Sequence, residues 1–320
     1  MKKFLVVIAT SLGLINLAGC GTQANHQKTI RIGILQIVQH GSLDAARQGF
    51  QTELTHQIKQ VHPTWQVQYD YQNAQGDQAN LNTMAQQLTL QNSQLLLAIG
   101  TPAAQTLARK TNRLPILTTA VTDLKAAGLV HSVQKPETNI SGTSDKAPVT
   151  KQLQILTSLT KSKKPLGVIY NSSEENSLAQ VATAKQYAKT HHLKLKTISV
   201  TTTNDIQSAL ANFTSQISGL YVPTDNLMAS AMSIIGKNSQ RAQIPVVTGS
   251  IEMAQAGGTA TYGLNYRDLG KQTAQMAARV ILKQQSPATT PVETANHLQL
   301  YVNSTNSKLI GINPKTIKQP

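Results

Sequence analysis

The chain has 320 residues, with 29 Lys and Arg against 14 Asp and Glu, a single cysteine and 4% aromatic residues. The formal charge of +15 comes from scattered lysines, with few stacking aromatics and no finger or basic helix, which argues against nucleic-acid binding and for attraction to an anionic membrane or wall surface. One cysteine leaves no disulfide framework, and the length suits one two-lobed protein or two compact domains.

Lys2 and Lys3 precede the mostly apolar run Phe4 to Leu17, and Leu17-Ala18-Gly19-Cys20 follows where cleavage is expected. Residues 1–19 read as a signal peptide, too short for a comfortable membrane span. Cys20 resembles the lipidated first residue of a bacterial lipoprotein. Residues 20–28 are polar and read as a lipid-anchored tether.

Ile30 to Ile37 is a β-branched run that predicts the first strand of a parallel sheet. Gln36, His40 and Ser42 stand at the turn after it, and Ser42 is expected to cap a helix carrying Leu43, Ala46, Phe50, Leu54 and Ile58. Trp65 to Tyr71 alternates as a second strand, and Asp77 caps the next helix. Leu95 to Ile99 stops at Gly100-Thr101-Pro102, a preorganised helix start whose free N–H groups can receive an anion. Pro115 to Ala120 is the fourth strand, closed by Val121-Thr122-Asp123.

Asn139 to Asp145 (N-I-S-G-T-S-D) reads as a hinge between two α/β series. Gly142 can take a positive φ, while Thr143, Ser144 and Asp145 either cap the helix starting near Pro148 or face a ligand. Beyond it come a helix at Val149 to Leu159 and a strand at Leu166 to Tyr170, then the polar turn Asn171 to Ser177. Leu193 to Val200 is a strand before a helix capped by Asn204 or Asp205, and Gly219 to Val222 ends in Pro223-Thr224-Asp225-Asn226. Pro245 to Val247 runs into Thr248-Gly249-Ser250, followed by a strand at Gly257 to Tyr262, a helix at Tyr266 to Leu282 and an edge strand at Leu298 to Val302. Residues 285–295 read as a loop. The repeated β-α order predicts an α/β fold with parallel sheets, and ligands of such sheets bind beyond the carboxyl ends of the strands, where these polar clusters fall.

Catalytic and metal signatures are missing from the sequence. There is no G-x-S-x-G, H-E-x-x-H, C-x-x-C or phosphate loop, His40 has no paired ligand, and His191 with His192 makes a poor metal site. Glu174 and Glu175 are adjacent in a turn and are expected to be solvated rather than catalytic. Neither an enzyme nor a cofactor is expected.

The motifs H-G-S-L-D-A-A-R-Q-G-F (40–50), G-T-P (100–102), V-T-D (121–123), N-I-S-G-T-S-D (139–145), Y-N-S-S-E-E-N-S (170–177), V-P-T-D-N (222–226) and Y-G-L-N-Y-R-D-L-G (262–270) together resemble the ABC transporter substrate-binding lipoproteins of tryptophan/tyrosine-type uptake systems. The resemblance implies two Rossmann-like lobes of type I periplasmic-binding-protein architecture joined by three crossings, the later two near Leu264 and residues 285–292. It divides the chain into an N-terminal lobe (29–142 with 265–286) and a C-terminal lobe (143–264 with 287–320). It further implies an extracytoplasmic, membrane-anchored monomer serving a permease and an ATPase, with an aromatic amino acid as ligand. A sugar or nucleoside on the same fold, or ligand sensing without transport, is the alternative.

A zwitterion needs donors for its carboxylate, which Thr101 with the amides after Pro102, Thr143 and Ser144, or Ser172 and Ser177 offer. Its ammonium needs an acceptor, with Asp225 the first choice and Asp123 the second. Asn171, Asn176, Asn226 and Gly249 complete the candidate set, and Tyr170 or Tyr262 would supply stacking.

Overall fold

The computed structural model describes residues 28–160 and 162–320, so the signal peptide, Cys20 and nearly all of the tether lie outside the described residues. Isoleucine- and leucine-rich runs, apolar on both faces, build two six-stranded sheets, each flanked by helices. In chain order the first lobe contains β1 (Thr29–Gln36), α1 (Gly41–Val61), β2 (Gln66–Asn73), α2 (Gln78–Leu90), β3 (Leu95–Ile99), α3 (Thr101–Lys110), β4 (Ile116–Val121) and β5 (Ile140–Ser144). The second contains α4 (Val149–Leu159), β6 (Leu166–Asn171), α5 (Glu175–Thr190), β7 (Leu195–Val200), α6 (Thr203–Phe213), β8 (Gly219–Val222), α7 (Asn226–Ser230), α8 (Met232–Ala242), β9 (Val246–Thr248), α9 (Ile251–Ala256) and β10 (Ala260–Gly263). The chain then returns to the first lobe as α10 (Tyr266–Lys283) and β11 (Glu293–Thr294), and ends in the second as β12 (Gln299–Val302) and α11 (Ser304–Leu309).

The sheet orders are β11-β5-β4-β3-β1-β2 and β12-β10-β9-β8-β6-β7, all pairs parallel except β10 with β12. A single core fills the first lobe, and two clusters cover the two faces of the second sheet. The return of α10 is secured by close packing on α1: a methyl group on Gly49 or Gly270 would run into the carbonyl oxygens of Arg267 or Ala46. Among the described residues no helix is long and apolar enough to cross a membrane.

Several sequence expectations move. Asn139 to Asp145 is not itself the crossing: β5 pairs with β4 inside the first sheet, so Thr143 and Ser144 belong there, and the chain leaves the lobe after Asp145, whose N–H still bonds Val121 O. Gly142 does have a positive φ (+152°), and a side chain there would also strike the Thr118 backbone. The second crossing falls at 264–265. The third comes after Thr294 rather than at 285–292, because Glu293 and Thr294 first add a short strand to the open edge of β5. Arg279 pairs with Glu293 at 2.5 Å and Gln272 donates to Thr294 O, which holds that strand in place.

Three caps differ as well. His40, not Ser42, precedes α1; the helix at Val149 has no side-chain cap from residues 143–145; and Thr202, not Asn204 or Asp205, precedes α6.

Candidate functional site

The carboxyl ends of the two sets of strands face each other across a cleft, and the shortest connections between the lobes pass through polar side chains. Ser42 at the start of α1 meets Ser250 before α9 (3.1 Å), His40 Nε2 meets Asn226 Oδ1 (3.4 Å), Thr122 meets Thr224 (3.4 Å), and Gln105 donates to Glu175 (2.9 Å). Behind these contacts lies a cavity walled by His40, Ser42, Ala120, Asp145 and Tyr266 on one side and Asn176, Asp225, Asn226 and Met253 on the other. Its free volume is about 10 Å³, room for one water, so the lobes are drawn tightly shut. Outside the His40–Asn226 contact, Ile37, Val38, Thr101, Pro102, Leu227 and Thr202 line a groove of about 550 Å³.

Three buried polar atoms on the cavity wall have no partner: His40 Nδ1, Asp145 Oδ1 and Asn176 Oδ1. Each is an acceptor, and the neighbours fix that assignment. Asn226 donates its Nδ2 to Glu174 (2.6 Å), so its Oδ1 faces His40 and receives Nε2–H, which leaves Nδ1 with a bare lone pair. Asn176 Nδ2 donates to Thr224 O (2.9 Å) and Glu174, so its oxygen is the free end. Asp145 uses Oδ2 for the Tyr266 hydroxyl and keeps Oδ1 open.

The electrostatics follow from this burial. Burial lowers the His40 pKa to about 4 against the opposing Asn226 bond and Asp44 charge, so the ring is neutral at pH 7. Burial raises the Asp145 pKa, with the Tyr266 bond working against it, and a cation placed at Oδ1 would bring it back down. Directly after His40, the 21-residue helix α1 offers an uncapped N-terminus, with Ser42 and Leu43 on the cavity wall. Ala120 beside it holds φ +57°, a left-handed conformation for a residue with a side chain, and β4 slips register there.

Asp225 lines the cavity, but its oxygens are taken. Oδ1 accepts from Met228 N (2.9 Å) as the cap of α7, and Oδ2 accepts from Asn171 N (2.6 Å) and Ser177 Oγ (2.7 Å). Three donors from the fold already occupy the Asp225 carboxylate, so it has less spare acceptor capacity for an ammonium than Asp145, whose Oδ1 receives none. Asp123, the second choice, caps the turn at Ala126 and lies near Lys146, away from the cavity.

The remaining expected residues divide by place. Gln36 donates to Val38 O and Asp44, shaping the β1–α1 turn. Thr143 bonds Thr273, and Ser144 donates to Thr122 O, so both are spent inside the first lobe. Thr101, Pro102 and Asn171 line the outer groove, while Ser172 is exposed. Gly249 is pressed against the Thr224 backbone, and Tyr170 and Tyr262 pack with the core cluster beneath α4, so neither tyrosine lines the cavity.

Glu174 departs from its expected solvation. It is 6% exposed and accepts from Asn226 N, Asn226 Nδ2, Asn176 Nδ2 and Asn171 Nδ2, and burial together with the Asp225 charge pushes its pKa up to about 7. Residue reasoning passed over Tyr266 and Glu252. The Glu252 side chain accepts from Tyr266 N (2.9 Å) across the second crossing.

Residues 31–316 match the family described as ABC transporter substrate binding protein. A tyrosine-binding protein of Clostridioides difficile is 35% identical over 97% of this chain and 92% of its own length. An ABC domain from Streptococcus pneumonia, solved in complex with L-Trp, is 34% identical over 90% of this chain and 96% of its own, with a TM-score of 0.83. A substrate-binding protein with adhesive properties from Clostridium difficile, solved ligand-free and open, is 36% identical over 91% and 97% but has a TM-score of 0.67. At nearly equal identity the better superposition is on the ligand complex, in keeping with the closed cleft.

Proposed function

From the premise that this chain belongs to the family of ABC transporter substrate binding proteins, we propose that it captures an aromatic amino acid between its lobes, ammonium first. The chain is a binding protein, not an enzyme, and works outside the cytoplasmic membrane with ABC transporter partners. The observation that carries the ligand reading is the trio of unpartnered acceptors, His40 Nδ1, Asp145 Oδ1 and Asn176 Oδ1, around one cavity. A primary ammonium has three donors and no acceptor, so it matches that trio, and the Asp145 carboxylate supplies the charge.

The carboxylate of the same ligand finds the N-terminus of α1 beside His40, where the uncapped amides carry partial positive charge. The side chain is read from the relatives that bind tyrosine and L-Trp, and packs against Leu43, Ala229 and Met253 once the lobes part to make room. A sugar is disfavoured, since no aromatic face lines the cavity apart from Tyr266, whose hydroxyl is committed to Asp145. Lipidation at Cys20, a monomeric state and delivery to a permease driven by an ATPase complete the reading.

Calorimetric titration with L-tryptophan, L-tyrosine and their desamino analogues tests it. Loss of the ammonium should weaken binding at least a hundredfold. Equal affinity for a desamino analogue would remove the acceptor trio from the site.

A further inference from the structure

The five carboxylates of the second lobe, Glu174, Glu175, Asp205, Asp225 and Glu252, all follow the carboxyl ends of strands and so crowd at the cleft. The opposite end of that lobe carries Lys163, Lys164, Lys185, Lys189, Lys194 and Lys196, every one exposed. Backbone pairing gathers them. Leu166 N bonds Lys194 O, Gly167 stands opposite Lys196, and Leu193 N bonds Ala188 O beside Lys189. Lys164 donates to Ser215 O, and Lys196 to the Gln216 side chain, so both converge on one short turn. None of the six is in an ion pair among the described residues.

Lys189 lies in the last turn of α5, where a cation complements the helix dipole. That account does not reach Lys163, Lys164, Lys194 and Lys196, which lie off the helices. Six like charges without counter-charges repel one another, and an anionic partner would relieve this.

We infer that this pole is a docking surface for a flexible phosphodiester polymer outside the cell, engaged while the cleft at the other end handles its ligand. Lysine heads are point charges on flexible stems, suited to following a chain of phosphates without fixed bidentate geometry. The patch contains no Arg, Tyr187 is buried, and the exposed rings between Lys189 and Lys194 are the imidazoles of His191 and His192, with no Trp, Tyr or Phe face for base stacking. A polymer is preferred over a bilayer by placement: the chain enters the fold at Thr29, at the far pole of the first lobe, so with the proposed Cys20 anchor the lysine pole points away from the membrane.

The test compares two fourfold variants. Lys163→Gln, Lys185→Gln, Lys189→Gln and Lys194→Gln spare the hydrogen-bonded Lys164 and Lys196, whereas Lys59→Gln, Lys110→Gln, Lys125→Gln and Lys135→Gln remove the same charge from the first lobe. Binding to a synthetic glycerol-phosphate polymer is measured against salt, with phosphatidylglycerol vesicles as the second probe and thermal midpoints as the fold control. The pole variant should lose at least tenfold in polymer affinity and show a shallower salt dependence, with less than a twofold change in the other variant. Equal losses would reduce the effect to diffuse net charge and overturn the inference. So would tighter binding to vesicles than to polymer, or no polymer binding by the wild type at moderate salt. Because amino-acid affinity is read separately, failure of the cleft assignment leaves this result unaffected.

Discussion

The two walls of the cleft are built on opposite principles. On the second lobe, Glu174 and Asp225 are buried carboxylates whose oxygens all accept bonds from the fold, from Asn171, Asn176, Ser177, Asn226 and Met228. On the first, Asp145 is just as buried and His40 is half-buried, and each keeps one enclosed atom unpaired. A charged residue at a cleft edge is therefore not a ligand contact by virtue of its place. What distinguishes a receiving atom is capacity left over after the fold has been satisfied.

The contrast breaks most visibly at Asp225. Asp225→Ala leaves three buried donors unmatched and should cost about 4 kcal/mol of stability, seen as a large fall in denaturation midpoint without ligand. If stability stays within about 0.5 kcal/mol of wild type, the claim that this wall is internally committed fails.

The next effect is in pH. His40 has a folded pKa of about 4, below its unfolded value, so the unfolded chain binds more protons between about pH 4 and 6.5 and the histidine costs stability there. Glu174 runs the other way: with its pKa raised to about 7, it adds stability that is fully present at low pH and is lost as pH rises through about 4.5 to 7. The two slopes oppose each other in the wild type. The difference between wild type and His40→Gln should therefore rise by up to about 3 kcal/mol from pH 4 to 6.5 and be flat above. A flat difference throughout would mean the ring is solvated.

Smaller effects belong to the neutral groups. Asn176→Ala removes one neutral acceptor together with the amide bonds to Thr224 O and Glu174, and ligand affinity should drop about five- to tenfold by titration with some loss of stability. Ser42→Ala removes only the link to Ser250 across the lobes and should weaken binding about two- to threefold through a less favoured closed state. A larger loss at Ser42 than at Asn176 would shift the site toward the helix terminus.

The β-α order, the two lobes and the polar strand ends were legible in the sequence because parallel strands read as continuous apolar runs and helices as amphipathic ones. The choice between Asp145 and Asp225 was not. Asp225 looked displayed because it follows a strand and Pro223, yet its partners Asn171 and Ser177 come from a neighbouring strand and helix that only the sheet order β8-β6 brings alongside. Asp145 looked like one more hinge residue, and its partner Tyr266 lies 121 positions away at the second crossing. The strained Ala120 left no trace in composition. The third crossing was displaced by Glu293 and Thr294, two polar residues whose pairing with β5 has no hydrophobic signature.

The account turns on which carboxylate receives the ammonium, and calorimetry on Asp145→Asn with L-tyrosine and L-tryptophan addresses it directly. The substitution keeps shape and the Tyr266 contact while removing the charge, so affinity should fall about ten- to a hundredfold with stability nearly unchanged. Unchanged affinity in Asp145→Asn, together with a comparable fall in a folded Asp225→Asn, would contradict the account and return the ammonium to the second lobe.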